Sequence, residues 1–351
     1  VDDTVQTGEE FAEDASFDEP LLSSKVEGAP SWQSLKAVPR KGLYDLFSVA
    51  VVAGQLVPCF TVFPMLILLV PAYMVSTYGV LSLLPFFTLL AISLALPPLY
   101  SPFFKKSIFR TPLLELLNYV RPFEITKQCP LPKDKTYIMC WHPHGRLFYG
   151  FAVFCGLFDV WFPELNGREF FGGINDAMFA IPVLSNLLYL TGMTPCNRKE
   201  VDRRLKAKQH VGLIIGGIEE VLEGTFDTKD VLFLKNRKGF AKIAMDHGAG
   251  LVPVYAFGEN QLFQHEPKWR LDFWRWINKF VKVGAPLPIL GVWGFPVPFR
   301  RELLIAVGEP LFAEENETLD EFHARYVSAV ETLFRQNVMR TTRPNHELVV
   351  V

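Results

Sequence analysis

The chain has 351 residues, half of them hydrophobic, and a mean hydropathy of +0.19, which is oily for a freely soluble protein. Lys plus Arg number 35 against 37 Asp plus Glu, a net charge of −2, so no overall field marks a nucleic-acid binder. The five cysteines are odd in number and form no C-x-x-C pair, which reads as reduced thiols and not as a disulfide framework.

Val1–Pro39 is polar and acidic, with nine carboxylates and one lysine before Pro30. It offers too little apolar area to fold, so residues 1–41 are expected to be a disordered tail. From Leu46 to Phe104 there is no charged residue. Roughly 20 apolar residues span a bilayer core, so this run predicts a membrane hairpin over residues 42–104. Leu46–Val70 and Val80–Leu96 are its two candidate passes, with Ser76, Thr77, Tyr78 and Gly79 as the turn. Pro58, Pro64, Pro71 and Pro85 would kink or break such helices, which leaves a re-entrant hairpin as the alternative. A buried core helix is disfavoured by the absence of a polar face. A cleaved signal peptide is disfavoured by the acidic start. Lys36, Arg40 and Lys41 precede the run, and Lys105, Lys106 and Arg110 follow it. Basic flanks on both sides predict that both ends lie in the cytosol.

Residues 105–351 read as one domain in which strands and helices alternate. Tyr137–Trp141, Val211–Ile215, Leu251–Phe257 and Leu303–Val307 are short apolar runs, the pattern of strands buried on both faces. Leu319–Val338 carries apolar residues at helical spacing behind a Thr318–Glu321 capping box. The sequon Asn316-Glu317-Thr318 is better explained as that helix start. The pattern predicts an α/β fold.

Four segments carry chemistry. His142-Pro143-His144-Gly145 ends the first strand and can hold an imidazole at a sheet edge, where it takes a proton from a hydroxyl near neutrality. Gly216-Gly217-Ile218-Glu219-Glu220 breaks the second strand and presents carboxylates. Asn236-Arg237-Lys238-Gly239-Phe240, followed by Lys242, clusters cations. Gly258-Glu259-Asn260 ends a further strand. Taken singly, each is more often a turn or a solvated face. A metal pair lacks a third ligand at suitable spacing, and neither a G-x-S-x-G elbow nor a P-loop is present. Cys140 would share a strand face with His142. That allows a Cys–His pair, although a small core residue is the simpler role.

In this order the motifs resemble the type 2 diacylglycerol acyltransferase family, which includes monoacylglycerol and wax-alcohol acyltransferases. They run as His-Pro-His-Gly, Gly-Gly-x-x-Glu, Arg-x-Gly-Phe-x-Lys-x-Ala over Arg237–Ala244, and Leu-Val-Pro-Val-Tyr-x-Phe-Gly-Glu-Asn over Leu251–Asn260. The likeness covers about 300 residues, through Val307-Gly308-Glu309-Pro310 to the terminal helix. Two departures stand out. Gly291-Val292-Trp293 replaces the Gly-Arg-Gly of many members. The His-x4-Asp pair of glycerophosphate acyltransferases is absent, since Leu147 and Tyr149 stand five residues after the two histidines. Glu223-Gly224-Thr225 echoes those enzymes only superficially.

The resemblance implies a glycerolipid-acyltransferase-like α/β domain that moves a fatty acyl group from acyl-CoA to diacylglycerol at the endoplasmic reticulum membrane. It implies His144 as general base, with His142 supporting or substituting for it and Glu220 as the carboxylate that orients it. Gly145, Asn236, Arg237, Lys238, Gly239 and Lys242 are then the set for acyl-CoA, with Arg198, Lys199, Arg203 and Arg204 as a second cationic set. No cofactor or metal is expected, because acyl-CoA is a co-substrate. The bilayer is the working surface, lipid-droplet association and a homo-oligomer are compatible with the family, and nucleic acid is not a partner. Monoacylglycerol or a long-chain alcohol is the competing acceptor, and an inactive lipid-droplet hairpin protein is the rival from another class. Trp269–Ile277, with tryptophans and arginines at helical spacing, reads either as a helix in the headgroup layer or as a core helix with snorkelling arginines.

Overall fold

A computed structural model describes residues 22–24, 33–37, 43–57, 63–108, 110–165, 167–223, 228–281 and 289–351. Most of the acidic tail, Pro58 and the Gly224-Thr225 pair lie outside the described residues.

The strands are β1 (Leu22–Ser24), β2 (Gln33–Ala37), β3 (Phe123–Lys127), β4 (Tyr137–His142), β5 (Phe170–Ile174), β6 (Met193–Pro195), β7 (His210–Ile214), β8 (Lys229–Leu232), β9 (Gly250–Phe257), β10 (Leu303–Val307) and β11 (Glu347–Val350). Nine form one sheet in the order β1-β2-β3-β10-β9-β4-β7-β5-β6, while β8 and β11 pair separately. The helices are α1 (Leu43–Val57), α2 (Phe63–Tyr78), α3 (Leu83–Ala95), α4 (Arg110–Tyr119), α5 (Tyr149–Gly156), α6 (Phe158–Trp161), α7 (Leu184–Leu190), α8 (Arg198–Lys206), α9 (Gly217–Glu223), α10 (Gly239–His247), α11 (Lys268–Val281) and α12 (Leu319–Val338).

The sheet explains why the apolar runs show no polar alternation. On β4, Tyr137, Met139 and Trp141 enter one core cluster, and Ile138 and Cys140 enter the other. Successive side chains point to opposite faces, and here both faces are covered. On the second face α12 lays down Phe322, Tyr326, Val330 and Phe334. Its start is the expected capping box: Thr318 Oγ1 accepts the Glu321 N–H, and the Glu321 carboxylate accepts the Thr318 N–H. The fold is therefore mixed α/β, as the alternation predicts.

The amino-terminal third departs from expectation. Leu46–Val70 takes in parts of two described helices, α1 up to Val57 and α2 from Phe63. The chain turns at Gly79, with φ of 77°, and α3 follows a short 3-10 turn. The three helices have 15, 16 and 13 residues, short of the roughly 20 that a bilayer core requires. No helix of the described residues is long and apolar enough to cross a membrane. The described helices therefore do not support a hairpin of two spanning helices. Moreover, α1 belongs to the domain: Val52 is fully buried in the core, and Ser48 Oγ donates to Glu115 of α4 at 2.5 Å. By contrast, α2 and α3 expose Leu66, Leu69, Leu84, Leu89 and Ile92. Within the tail, β1 and β2 are strands, and β2 pairs antiparallel with β3. The expectation of a structureless tail does not extend to them.

Candidate active site

Three of the four motifs meet because of strand order. β4 lies between β9 and β7 and is parallel to both, with His142 beside Tyr255 and Trp141 beside Ile214. All three strands therefore end on one edge of the sheet. His142–Gly145 leaves β4, Gly216–Glu220 leaves β7, and Gly258–Asn260 leaves β9. The carboxyl ends of parallel strands are where open α/β sheets collect ligands.

Two buried carboxyls hold the histidine loop. Glu220 Oε2 accepts the His144 peptide N–H at 2.8 Å, and its Oε1 accepts that of Phe233 at 3.1 Å. This position requires the glycine before it: a Cβ on Gly216 would lie 1.7 Å from the Glu220 carboxyl carbon. Glu259 supports the loop from the other side. Its carboxylate accepts the N–H groups of Tyr149 and Gly150, at 3.0–3.1 Å for Gly150, and so satisfies orphan donors at the start of α5. Its Cγ would lie 2.6 Å from a Cβ on Gly145, whose φ is +67°. Burial pushes both carboxyls up to about 8, against the peptide hydrogen bonds that favour the charged form.

The two imidazoles differ. His142 is fully buried, its Nε2 lies 2.9 Å from the Tyr326 hydroxyl of α12, and its Nδ1 has no hydrogen-bond partner. Burial pushes it down to about 3, so it is neutral at physiological pH. His144 is partly exposed. Its Nδ1 lies 2.9 Å from the Gly145 carbonyl oxygen, which can only accept. Nδ1 therefore carries the proton, and Nε2 keeps its lone pair. Burial lowers the His144 pKa, the Gly145 carbonyl opposes this, and the charge of Arg237 lowers it further. Glu220 thus engages the peptide of His144, while a carbonyl fixes the tautomer.

Cys140 packs in the core, and burial raises its thiol well above the usual range; this is the core role and not that of a nucleophile. Among the described residues, no group of three His, Cys, Asp or Glu side chains could hold a metal ion.

The cations are placed unequally. Arg237 pairs with Glu219 and borders Gly217, close to the histidine loop. Lys238 reaches Asp320 at 2.7 Å, and Lys242 lies 3.8 Å from Asp246 on α10. Asn236 and Gly239 are exposed. In the second set, Arg198 pairs with Asp246, and Arg203 and Arg204 share Glu200. Lys199 lines a surface hollow on α8. Trp293 is exposed, at the departure from Gly-Arg-Gly.

Sequence reasoning gave no role to Glu259, Tyr326 or Arg146. Glu259 carries the one available signal, an acid between glycine and asparagine at the end of an apolar strand. Tyr326 is legible only as a core position of α12. Arg146 forms a buried ion pair with Glu266 at 3.0 Å, two charges far apart in sequence.

The diacylglycerol acyltransferase family model matches residues 102–351. Diacylglycerol O-acyltransferase 2 of Bos taurus is 32% identical over 254 residues, covering 66% of this chain and 68% of that protein. The Mus musculus protein of the same name is also 32% identical over 254 residues, covering 66% of this chain and 64% of its own. 2-Acylglycerol O-acyltransferase 1 of Bos taurus is 29% identical over 247 residues, covering 65% and 73%. Among solved structures, the 1-acyl-sn-glycerophosphate acyltransferase PlsC of Thermotoga maritima aligns with a TM-score of 0.36 and 13% identity, over 83% of this chain and 97% of that one. With a family match over most of its length and relatives above 30% identity, the chain belongs to the diacylglycerol acyltransferase family.

Proposed function

We propose that the protein is an acyl-CoA-dependent O-acyltransferase that esterifies diacylglycerol to triacylglycerol at the endoplasmic reticulum membrane. The observation that carries this reading is the geometry of His144: a partly exposed imidazole whose Nδ1 lies 2.9 Å from the Gly145 carbonyl oxygen, which leaves the lone pair on Nε2. An alcohol attacks a thioester poorly until its proton is removed. His144 Nε2 takes the proton as the hydroxyl oxygen bonds to the acyl carbon; the thiolate of coenzyme A then leaves with the electrons of the C–S bond. General-base assistance contributes on the order of 10²–10⁴-fold. His142 supports the loop through Tyr326, and Glu220 fixes its peptide. The Gly145 amide and the side chains of Asn236 and Arg237 are the candidate donors to the oxyanion. Arg237, Lys238 and Lys242, with Gly239 at the turn, are the candidate site for the coenzyme phosphates.

The apolar faces of α2 and α3 support attachment to a lipid bilayer without a crossing helix. Lipid-droplet residence and a homo-oligomer belong to the same proposal. The test is to incubate membranes containing the protein with labelled acyl-CoA and a panel of diacylglycerol, monoacylglycerol, long-chain alcohol and sterol. Triacylglycerol as main product supports the reading; another ester reassigns the acceptor, and no ester removes the enzyme reading.

A further inference from the structure

Helix α11 carries Trp269, Phe273, Trp276 and Phe280 at intervals of four, three and four, which sets them on one stripe. All four are exposed, at 68%, 49%, 57% and 72%. Three of them are in ring contact: Phe273 stacks on Trp276 at 6.3 Å between centroids, and Trp276 meets Phe280 edge-on at 5.4 Å, with Trp269 one turn before Phe273 on the same stripe. The opposite side is already occupied. Leu271 is buried, and Arg275 donates to the Leu222 carbonyl of α9 at 2.8 Å. The helix is therefore seated on the domain with its aromatic side outward.

The chemistry of the ridge selects its occupant. Lys268 and Lys279 flank the ridge by helical spacing, whereas Arg270 pairs with Glu266 and Arg275 pairs with Asp272 and the Leu222 carbonyl on the seated side. Trp and Phe between such cations are the side chains that settle at the headgroup level of an anionic leaflet.

The helix is also tied to the histidine loop. The buried Glu266 carboxylate, just before α11, takes Arg146 at 3.0 Å and Arg270 at 2.8 Å. Arg146 follows Gly145 directly. From its other side α11 packs on α9, which carries Glu220.

We propose that α11 lies in the plane of an anionic membrane surface on its Trp269–Phe280 ridge, as an attachment separate from α2 and α3. Its link through Glu266 and Arg146 brings the mouth beside His144 to the lipid layer. This last clause rests on the acyl-transfer reading.

The first test needs no activity. Full-length protein is bound to vesicles of phosphatidylcholine and phosphatidylserine whose acyl chains are brominated, and tryptophan fluorescence is recorded. In the Trp269→Phe/Trp276→Phe variant, which keeps an aromatic ridge, the quenched signal should fall by about half or more. Equal quenching in both proteins would overturn the proposal, and so would quenching that ignores phosphatidylserine. The second test uses Trp276→Glu with Phe280→Glu. It should raise the Michaelis constant for diacylglycerol in vesicles by about 10-fold. The constant for acyl-CoA and the rate on detergent-dispersed acceptor should not change. If the variant instead halves the mass in lipid-free detergent and leaves the quenching intact, the ridge is a contact between two copies. Quenching as expected with no activity in the wild type would remove the acyl-transfer reading and leave the docking helix standing.

Discussion

Glu220→Gln separates two tasks of a buried carboxyl, carrying charge and accepting hydrogen bonds. Glu220 takes two peptide N–H groups, one on each oxygen, at 2.8 and 3.1 Å. Glutamine has one acceptor oxygen, so whichever way it turns, one buried N–H meets an NH2 group. An unmade buried hydrogen bond costs about 1–3 kcal/mol. Loss of charge adds little at pH 7, because burial pushes this carboxyl up to about 8; the protonated acid still keeps a lone pair on each oxygen, which an NH2 group lacks. The variant should therefore melt about 2–12 °C lower, at roughly 2–4 °C per kcal/mol for a domain of this size. Activity per folded molecule should fall about 10-fold or more, because the freed N–H lets the His144 peptide turn. The assay is a melting curve of the detergent-solubilised chain together with acyl transfer measured well below the transition. A melt within about 1 °C of wild type, with full activity, would show that Glu220 does not hold the loop.

His144→Ala should reduce acyl transfer by about 100-fold or more while leaving the melt nearly unchanged; residual activity above about a tenth at equal expression would exclude His144 as the base. Tyr326→Phe should cost about 1–3 kcal/mol in a denaturant titration, because it strips the buried His142 Nε2 of its partner. Arg237→Gln should raise the Michaelis constant for acyl-CoA about 10-fold and leave that for diacylglycerol unchanged; the reverse pattern would place this segment against the lipid. Stability should fall as pH rises toward 8. Glu220 and Glu259 titrate near 8 when folded and near the ordinary carboxyl value when unfolded, so in between the folded chain holds more protons. His142, pushed down to about 3, acts oppositely and lowers stability as pH falls below its ordinary 6.5. Melts from pH 5 to 9 should show the alkaline loss in wild type and a shallower one in Glu220→Gln.

The buried central strands were legible because β4, β7, β9 and β10 are apolar throughout, and α12 because its cap and its stripe agree. β5 was not, because Gly172 and Gly173 interrupt its apolar run. The apolar stretch 46–104 misled in length. Its composition matches a spanning pair, yet composition does not reveal that Ser48 reaches Glu115 or that Gly79 turns the chain. The site was legible as motifs but not as contacts. Nothing in Gly-Gly-x-x-Glu says that the glutamate reaches a backbone amide of another motif. That follows only once β4 and β7 are neighbours.

This arrangement has a chemical consequence for the proposed reaction. A carboxylate bonded to an imidazole stabilises the imidazolium and raises its pKa. Near neutral pH, that would hold more of the base in the protonated form. Here the carboxyl is spent on the peptide N–H of His144, and the uncharged Gly145 carbonyl fixes the tautomer. Burial and Arg237 then keep the imidazole neutral and ready to accept. Such a base is weak, but a thioester donor releases a thiolate that needs little acid assistance, so one proton acceptor is enough. The two buried glutamates are then best understood as clamps on the loop. Glu220 anchors the His144 peptide, and Glu259 closes against Gly145 while capping α5. Each contact fails if its own adjoining glycine, Gly216 for Glu220 or Gly145 for Glu259, gains a side chain. That accounts for the glycine ahead of Glu220 and, together with its positive φ, for the glycine after His144.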